Sequence, residues 1–142
     1  MRPRTLLIIR NPRARHAPGE ASLRAAASNL ERHGWAVRVV STTRAGHATE
    51  LAAEAAEAAI DVVAACGGDG TVNEVVQALG GTSSALAVLP AGTANVWARE
   101  AGVPLDVGRA ISLIPSARAA RVDVGVVEGE FGVRRFLLRC GI

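Results

Sequence analysis

The chain has no lysine and no tyrosine: all sixteen of its basic residues are arginine, and aromatics make up 3% of its 142 residues. Without an ε-amino group, neither a Schiff base nor a P-loop lysine is available. With so few aromatics, the core must be filled by small aliphatic side chains, chiefly Ala and Val, which favours helices laid at short range on a parallel sheet. Cysteine is scarce too. Cys66 and Cys140 stand far apart, with no CxxC pair and no Cys/His spacing suited to zinc, so two buried, reduced thiols are expected. Long apolar runs are also missing: Thr5 to Ile9 is too short for a signal-peptide core, and nothing approaches a membrane span. A cytoplasmic protein is expected.

With 49% of residues hydrophobic, the chain can build one core-bearing domain and not two full ones. Its net charge is +3, but Arg2, Arg4, Arg10, Arg13 and Arg15 all fall in the first fifteen residues with no acid among them. That local excess suits an anionic ligand or an anionic membrane surface. A purely solvated basic segment would have the same composition.

Repeated strand-helix units organise the chain. "TLLIIR", Thr5 to Arg10, is a buried strand closed by Asn11-Pro12, and Leu23, Ala26, Ala27 and Leu30 recur at helical spacing between Glu20 and His33. A strand from Trp35 to Ser41 and an amphipathic helix from Ala48 to Ile60 follow, the latter with Glu50, Glu54 and Glu57 on its polar side. "DVVAAC", Asp61 to Cys66, is apolar on both faces, as a central parallel strand should be. Val72, Val75, Val76 and Leu79 mark a third helix, Ala85 to Pro90 a fourth strand, and short helices are expected over Ala94 to Ala101 and Asp106 to Ile114. The period then switches. "RVDVGVV" and "RRFLLRC" flank "EGEFG", the pattern of a β-hairpin. The expectation is an α/β domain over residues 1–115, a mostly parallel sheet with helices on both faces, and the beginning of a β-rich second domain over 116–142. The hairpin is expected to present an exposed apolar edge.

"ACGGDGTVNE", Ala65 to Glu74, joins the central strand to the third helix. Gly67, Gly68 and Gly70 permit close backbone approach to an anion, and Thr71 with Glu74 fits a T-x-x-E capping box. The loop matches neither familiar phosphate loop: a dinucleotide fingerprint needs glycine where Asn73 stands, and a Walker loop needs lysine. Its one charge is negative. A carboxylate about 4 Å from a phosphate charge is opposed by roughly 4 kcal/mol at an effective dielectric of 20, and a helix terminus returns at most about 2 kcal/mol. Asp69 beside phosphate therefore implies a divalent cation between them, or a base that takes a proton from an attacking hydroxyl. The plain structural alternative is a tight turn in which Asp69 caps backbone N–H groups. A second loop, "AGT" at Ala91 to Thr93, also leads from a strand into a helix, so Gly92 and Thr93 are expected to offer another anion site.

Asn11-Pro12, Thr42 with "GHA" at Gly46 to Ala48, "GGDGTVNEV" at Gly67 to Val75 and "LPAGTAN" at Leu89 to Asn95 occur in this order. Together they resemble the catalytic domain of the diacylglycerol, sphingosine and ceramide kinase family, especially its soluble bacterial lipid kinases. The resemblance implies ATP and Mg²⁺ as cofactors. It places Asn11, Thr42, Gly67, Gly68, Gly70, Thr71, Gly92, Thr93 and Asn95 near the nucleotide, Asp69 in the catalytic role, and Asp69 with Asp123 near the metal. It also implies a lipid substrate at a membrane surface and no nucleic acid partner, with homodimer formation open. Two departures stand out: Val96 occupies a position where many members carry aspartate, and the family continues into a β-rich second domain. An NAD kinase-like enzyme and a non-catalytic nucleotide-binding fragment are the competing readings.

Overall fold

The computed structural model describes residues 2–130 and 132–137. Strands β1 (Thr5–Arg10), β2 (Ala36–Ser41), β3 (Val62–Gly67) and β4 (Ala85–Pro90) form one parallel sheet in the order β2-β1-β3-β4. Ile8 stands opposite Val39 on one side and Ala64 on the other. Along β1 the side chains alternate between two cores, as the pleat requires. Leu6 and Ile8 pack with Leu23 and Leu30 of α1 (Glu20–Arg32) and Ile111 of α5 (Val107–Leu113). Leu7 and Ile9 pack on the opposite face with Ala52 of α2 (His47–Glu57), Val72 and Val75 of α3 (Asp69–Leu79), and Ala98 of α4 (Val96–Glu100). Helices on both faces explain why β3 is apolar throughout: every one of its residues is buried.

Several boundaries shift for identifiable reasons. Helix α2 stops at Glu57, short of the expected Ile60, because Ala59 turns to φ 56° and the Ile60 N–H bonds back to the Ala55 carbonyl at 3.0 Å. Helix α3 starts at Asp69, two residues before the expected cap. The T-x-x-E capping box is not formed: Thr71 is buried, with its hydroxyl accepting from Asn11 Nδ2 at 3.1 Å, and the Glu74 carboxylate accepts from the Gly46 N–H.

A short 3-10 turn, Ile114–Ser116, precedes residues 117–124, which belong to no helix or strand. Strands β5 (Gly125–Gly129) and β6 (Gly132–Phe136) then form the hairpin, in antiparallel register with Val126 opposite Arg135. The strands run further into "EGEFG" than expected, with Glu128 opposite Val133 and Gly129 opposite Gly132. Val126 and Val133 are more than half exposed, as an apolar edge requires. One edge is nonetheless occupied. The side-chain amide of Gln77 on α3 accepts from the Arg135 N–H at 2.8 Å and donates to the Arg135 carbonyl, filling the place of a neighbouring strand. The expected strand continuation to Cys140 lies outside the described residues from Leu138 on, as does that cysteine.

The basic N-terminal run does not form one patch. Arg2 makes a two-pronged ion pair with Asp61 at 2.9 and 3.0 Å, and the Arg4 guanidinium stacks 4.4 Å above the Trp35 ring, both near the start of β1. Arg13 and Arg15 follow its far end, and a six-residue strand separates the two groups by about 20 Å. Arg10 is turned inward, its Nε donating to the Pro18 carbonyl at 2.6 Å.

Asp61 also accepts from the Thr5 N–H at 2.8 Å and the Thr5 hydroxyl at 3.0 Å, tying the start of β3 to that of β1. The Arg2 guanidinium, then the Thr5 N–H, hold its carboxyl at about 2, below the ordinary 3.8. Arg2 is largely solvated, so screening reduces what its ion pair adds to stability. A depressed folded value means stability that is full above the ordinary carboxylate range and lost as pH falls toward 2. Asp61→Asn is expected to lose about 1–2 kcal/mol at neutral pH. Urea unfolding between pH 2.5 and 6 checks this: the gap between variant and parent should close as pH falls.

Candidate functional site

In an open parallel sheet, ligands bind beyond the carboxyl ends of the strands where the strand order reverses. Here the chain winds from β1 outward to β2, then returns to place β3 on the other side of β1, so the reversal lies between β1 and β3. Asn11 leaves β1 at that point and the Gly67–Thr71 loop leaves β3. Asn11 staples them together. Its N–H donates to the Cys66 carbonyl at 2.9 Å, its Nδ2 to the Thr71 hydroxyl, and its Oδ1 accepts from the Arg13 N–H at 3.0 Å.

A cleft of about 220 Å³ opens beside this staple, lined by Asn11, Arg13, Thr42, Thr43, Arg44 and Glu74 among others. The Arg44 guanidinium is paired with Glu50. Arg13 is exposed at the mouth, and among the described residues its guanidinium has no hydrogen-bond or ion-pair partner. The cleft thus has one unpaired cation available to an anion, together with the hydroxyl of Thr42; that of Thr43 lies 3.3 Å from His47 Nδ1. Glu74 is shared with a second groove of about 300 Å³ that reaches Asn73, Gln77 and Arg134. Asn73 Oδ1, buried there, has no hydrogen-bond partner among the described residues.

The Asp69 carboxylate sits against the start of α4, accepting from the Val96 N–H at 3.1 Å and the Trp97 N–H at 3.3 Å. This accounts for a negative charge among glycines: it meets the positive end of a short helix from the neighbouring loop. It also corrects the expectation for the second loop. The first N–H groups of α4 face Asp69, so Gly92 and Thr93 do not lead into a vacant helix start. Thr93 is exposed, and the Asn95 side chain is folded onto the backbone of Gly92.

Asn11, Thr42, Gly67 to Thr71 and Gly92 to Asn95 all lie along the carboxyl ends of the sheet. Asp123 is exposed ahead of β5, and among the described residues no side-chain hydrogen bond or ion pair joins it to them. Nor do the described residues contain a group of three or more His, Cys, Asp or Glu side chains able to enclose a metal. The donor set suits Mg²⁺ in another way, since that ion is commonly held by one or two carboxylates and substrate phosphates. Both Asp69 oxygens accept from the start of α4, and the carboxylate that lines the cleft is Glu74. Cys66 is no nucleophile: burial pushes its thiol up to about 11, against the opposing charge of Arg10.

The sequence profile of the diacylglycerol kinase catalytic domain matches residues 5–127. The chain belongs to that family. A protein of Pseudomonas syringae pv. syringae (strain B728a) named "Probable lipid kinase YegS-like" is 40% identical over 129 residues, covering 89% of this chain and 41% of that relative. One of the same name from Yersinia pestis (strain Pestoides F) is 36% identical over 132 residues, 90% of this chain and 43% of its own. The crystal structure of a diacylglycerol kinase from Bacillus anthracis str. Sterne superposes with a TM-score of 0.67 at 31% identity, over 85% of this chain and 44% of that one. The chain therefore spans about two fifths of the family members it matches. Within the family frame, Glu74 and Arg13 of the cleft and Asn73 of the second groove are the lining residues that sequence reasoning did not assign to the site. Glu74 was disguised by its fit to a capping box, and Arg13 by the run of arginines around it.

Proposed function

We propose that the chain is the nucleotide-binding part of an ATP-dependent lipid kinase of the diacylglycerol kinase type, acting with Mg²⁺ on a lipid hydroxyl. The observation that carries this reading is the meeting of both glycine loops, with the Asp69 carboxylate between them, beside a cleft whose free cation is Arg13. Residues 1–115 form the nucleotide domain in this reading, and 116–142 begin the second domain. The lipid oxygen bonds to the γ-phosphorus as the bond to the bridging oxygen breaks; ADP departs with that electron pair, and the hydroxyl proton passes to a base. Asp69 is the candidate for that base or for the metal contact. Magnesium supplies neutralisation of phosphate charge when bound. In a chain without lysine, Arg13 and the loop N–H groups supply the rest. Thr42 offers its hydroxyl to the nucleotide, and Asn11 keeps the first loop in place.

The protein works in the cytoplasm and meets the membrane peripherally in this proposal, with homodimer formation open. No helix among the described residues is long and apolar enough to cross a membrane. The division of the arginines between the two ends of β1 leaves Arg13 and Arg15, not the whole run, on the side of the cleft. A nucleotide-binding role without catalysis is the second reading, favoured by the engagement of both Asp69 oxygens by the Val96 and Trp97 N–H groups. The test is phosphoryl transfer from radiolabelled MgATP to diacylglycerol in mixed vesicles, run beside calorimetric titration of MgATP. Binding with transfer is the expected result. Binding without transfer would favour the second reading, and failure to bind MgATP would remove both.

A further inference from the structure

The two glycine loops touch backbone to backbone. A methyl group built on Gly92 would stand 2.4 Å from the Cα of Gly68, and one on Gly68 would stand 3.2 Å from the Cα of Gly92. The sheet brings the loops side by side, since Gly67 pairs with Pro90 at the end of the β3–β4 ladder, but it does not reach Gly92 itself. β4 ends at Pro90, and the nearest backbone bond between the loops runs from the Ala91 N–H to the Gly67 carbonyl at 2.9 Å.

Beyond Ala91, the side chain that holds Gly92 is Asn95. Its Oδ1 accepts from the Gly92 N–H and its Nδ2 donates to the Gly92 carbonyl, both at 3.0 Å, so both ends of the amide face inward. Asn95 itself adopts φ 48°, ψ 48°, a left-handed conformation that asparagine tolerates better than most residues. Its own carbonyl accepts from the Arg99 N–H at 3.0 Å, and the next two N–H groups, of Val96 and Trp97, are those that reach Asp69. One residue therefore closes the Gly92 turn and aims the start of α4 at the first loop.

We propose that Asn95 is a positioning residue whose side chain holds the Gly92 turn against Gly68 and so fixes the first glycine loop, with Asp69, for its anionic ligand. The proposal rests on the nucleotide reading above. A ligand held by the first loop is sensitive to errors of about 1 Å in where the Gly92 turn presses that loop. With both amide ends engaged, Asn95 acts on the ligand through the backbone it holds, and not by direct contact.

The test uses ¹⁵N-labelled chain and Asn95→Gly, because glycine accepts the left-handed backbone while removing both side-chain bonds. Amide hydrogen exchange is read at Ala91, whose bond ends on the Gly67 carbonyl, and MgATP affinity is read by calorimetry. Ala91 exchange is expected to accelerate and the MgATP Kd to rise, each about tenfold or more, while the melting temperature changes little. Asn95→Asp keeps the acceptor for the Gly92 N–H and should restore most of the Ala91 protection; it also serves if the glycine variant fails to fold. Lost affinity with unchanged Ala91 exchange would make Asn95 a direct ligand contact and overturn the proposal. Faster exchange with unchanged affinity would reduce Asn95 to a local stabiliser and overturn it equally. If the parent chain does not bind MgATP, the kinase reading fails, and Ala91 exchange alone decides whether Asn95 holds the loops.

Discussion

Gly92→Ala is expected to destabilise the chain by about 2–3 kcal/mol, at the upper end of what overpacking a well-filled site costs, and to abolish nucleotide binding. The added methyl group meets the Gly68 Cα at 2.4 Å, and Asn95 Oδ1 at 3.1 Å. Neither obstacle yields easily. Gly68 is the cap of α3, whose Val72 N–H bonds to its carbonyl, and Asn95 is tied to Gly92 on both sides. Relief therefore means parting the loops, which removes the Ala91 to Gly67 bond and draws α4 from Asp69. Gly70→Ala is the internal control: no atom lies within 4 Å of the new methyl group, so stability should be retained. Urea unfolding of both variants distinguishes steric contact from glycine's general flexibility. Equal losses at positions 70 and 92 would rule out the contact as the cause.

Asp69→Asn is expected to preserve the fold, remove the magnesium-dependent part of ATP stabilisation, and strengthen binding of metal-free ATP. Asparagine keeps one acceptor for the start of α4, so the loss of the charge there costs about 1 kcal/mol or less. The ligand effect is larger. At a hundredfold excess over Kd, a ligand stabilises the native state by about 2.7 kcal/mol, several degrees in melting temperature for a chain of this size. With aspartate present, metal-free phosphate at about 4 Å is opposed by roughly 4 kcal/mol at an effective dielectric of 20. Removing the charge lifts that repulsion and removes a magnesium ligand together. Thermal unfolding with ATP plus EDTA, and with MgATP, should therefore move in opposite directions in the variant. A magnesium increment equal to that of the parent would end the metal role of Asp69.

The sheet was legible because its signals are local and repeated. β1 and β4 run between the residues that the apolar pattern marks, and the two-faced apolarity of Val62 to Cys66 reflects helices on both sides. The site was legible in its parts but not in its joints. Thr71 and Glu74 satisfy a capping pattern perfectly well in one dimension, yet the first bonds Asn11 and the second bonds Gly46, partners 60 and 28 residues away. The partners of Asp69 lie 27 and 28 residues along the chain, and no local rule connects them. Arginines adjacent in sequence came apart for the same reason, since an extended strand carries its two ends far from each other. Contacts between loops are set by strand order and register, which periodicity does not encode.

Helix α3 touches both halves of this arrangement. Its first residue is Asp69, and eight residues later Gln77 grips the backbone of Arg135, a rise of about 12 Å along one rigid rod. Any tilt of the hairpin relative to the sheet must either tear the Gln77 amide from β6 or swing the rod. Because the other end of the rod is the glycine loop itself, a lateral movement of the hairpin becomes a change of pitch at Asp69. The helix is thus a mechanical lever, with its fulcrum in the apolar packing of Val72, Val75 and Val76 on the sheet.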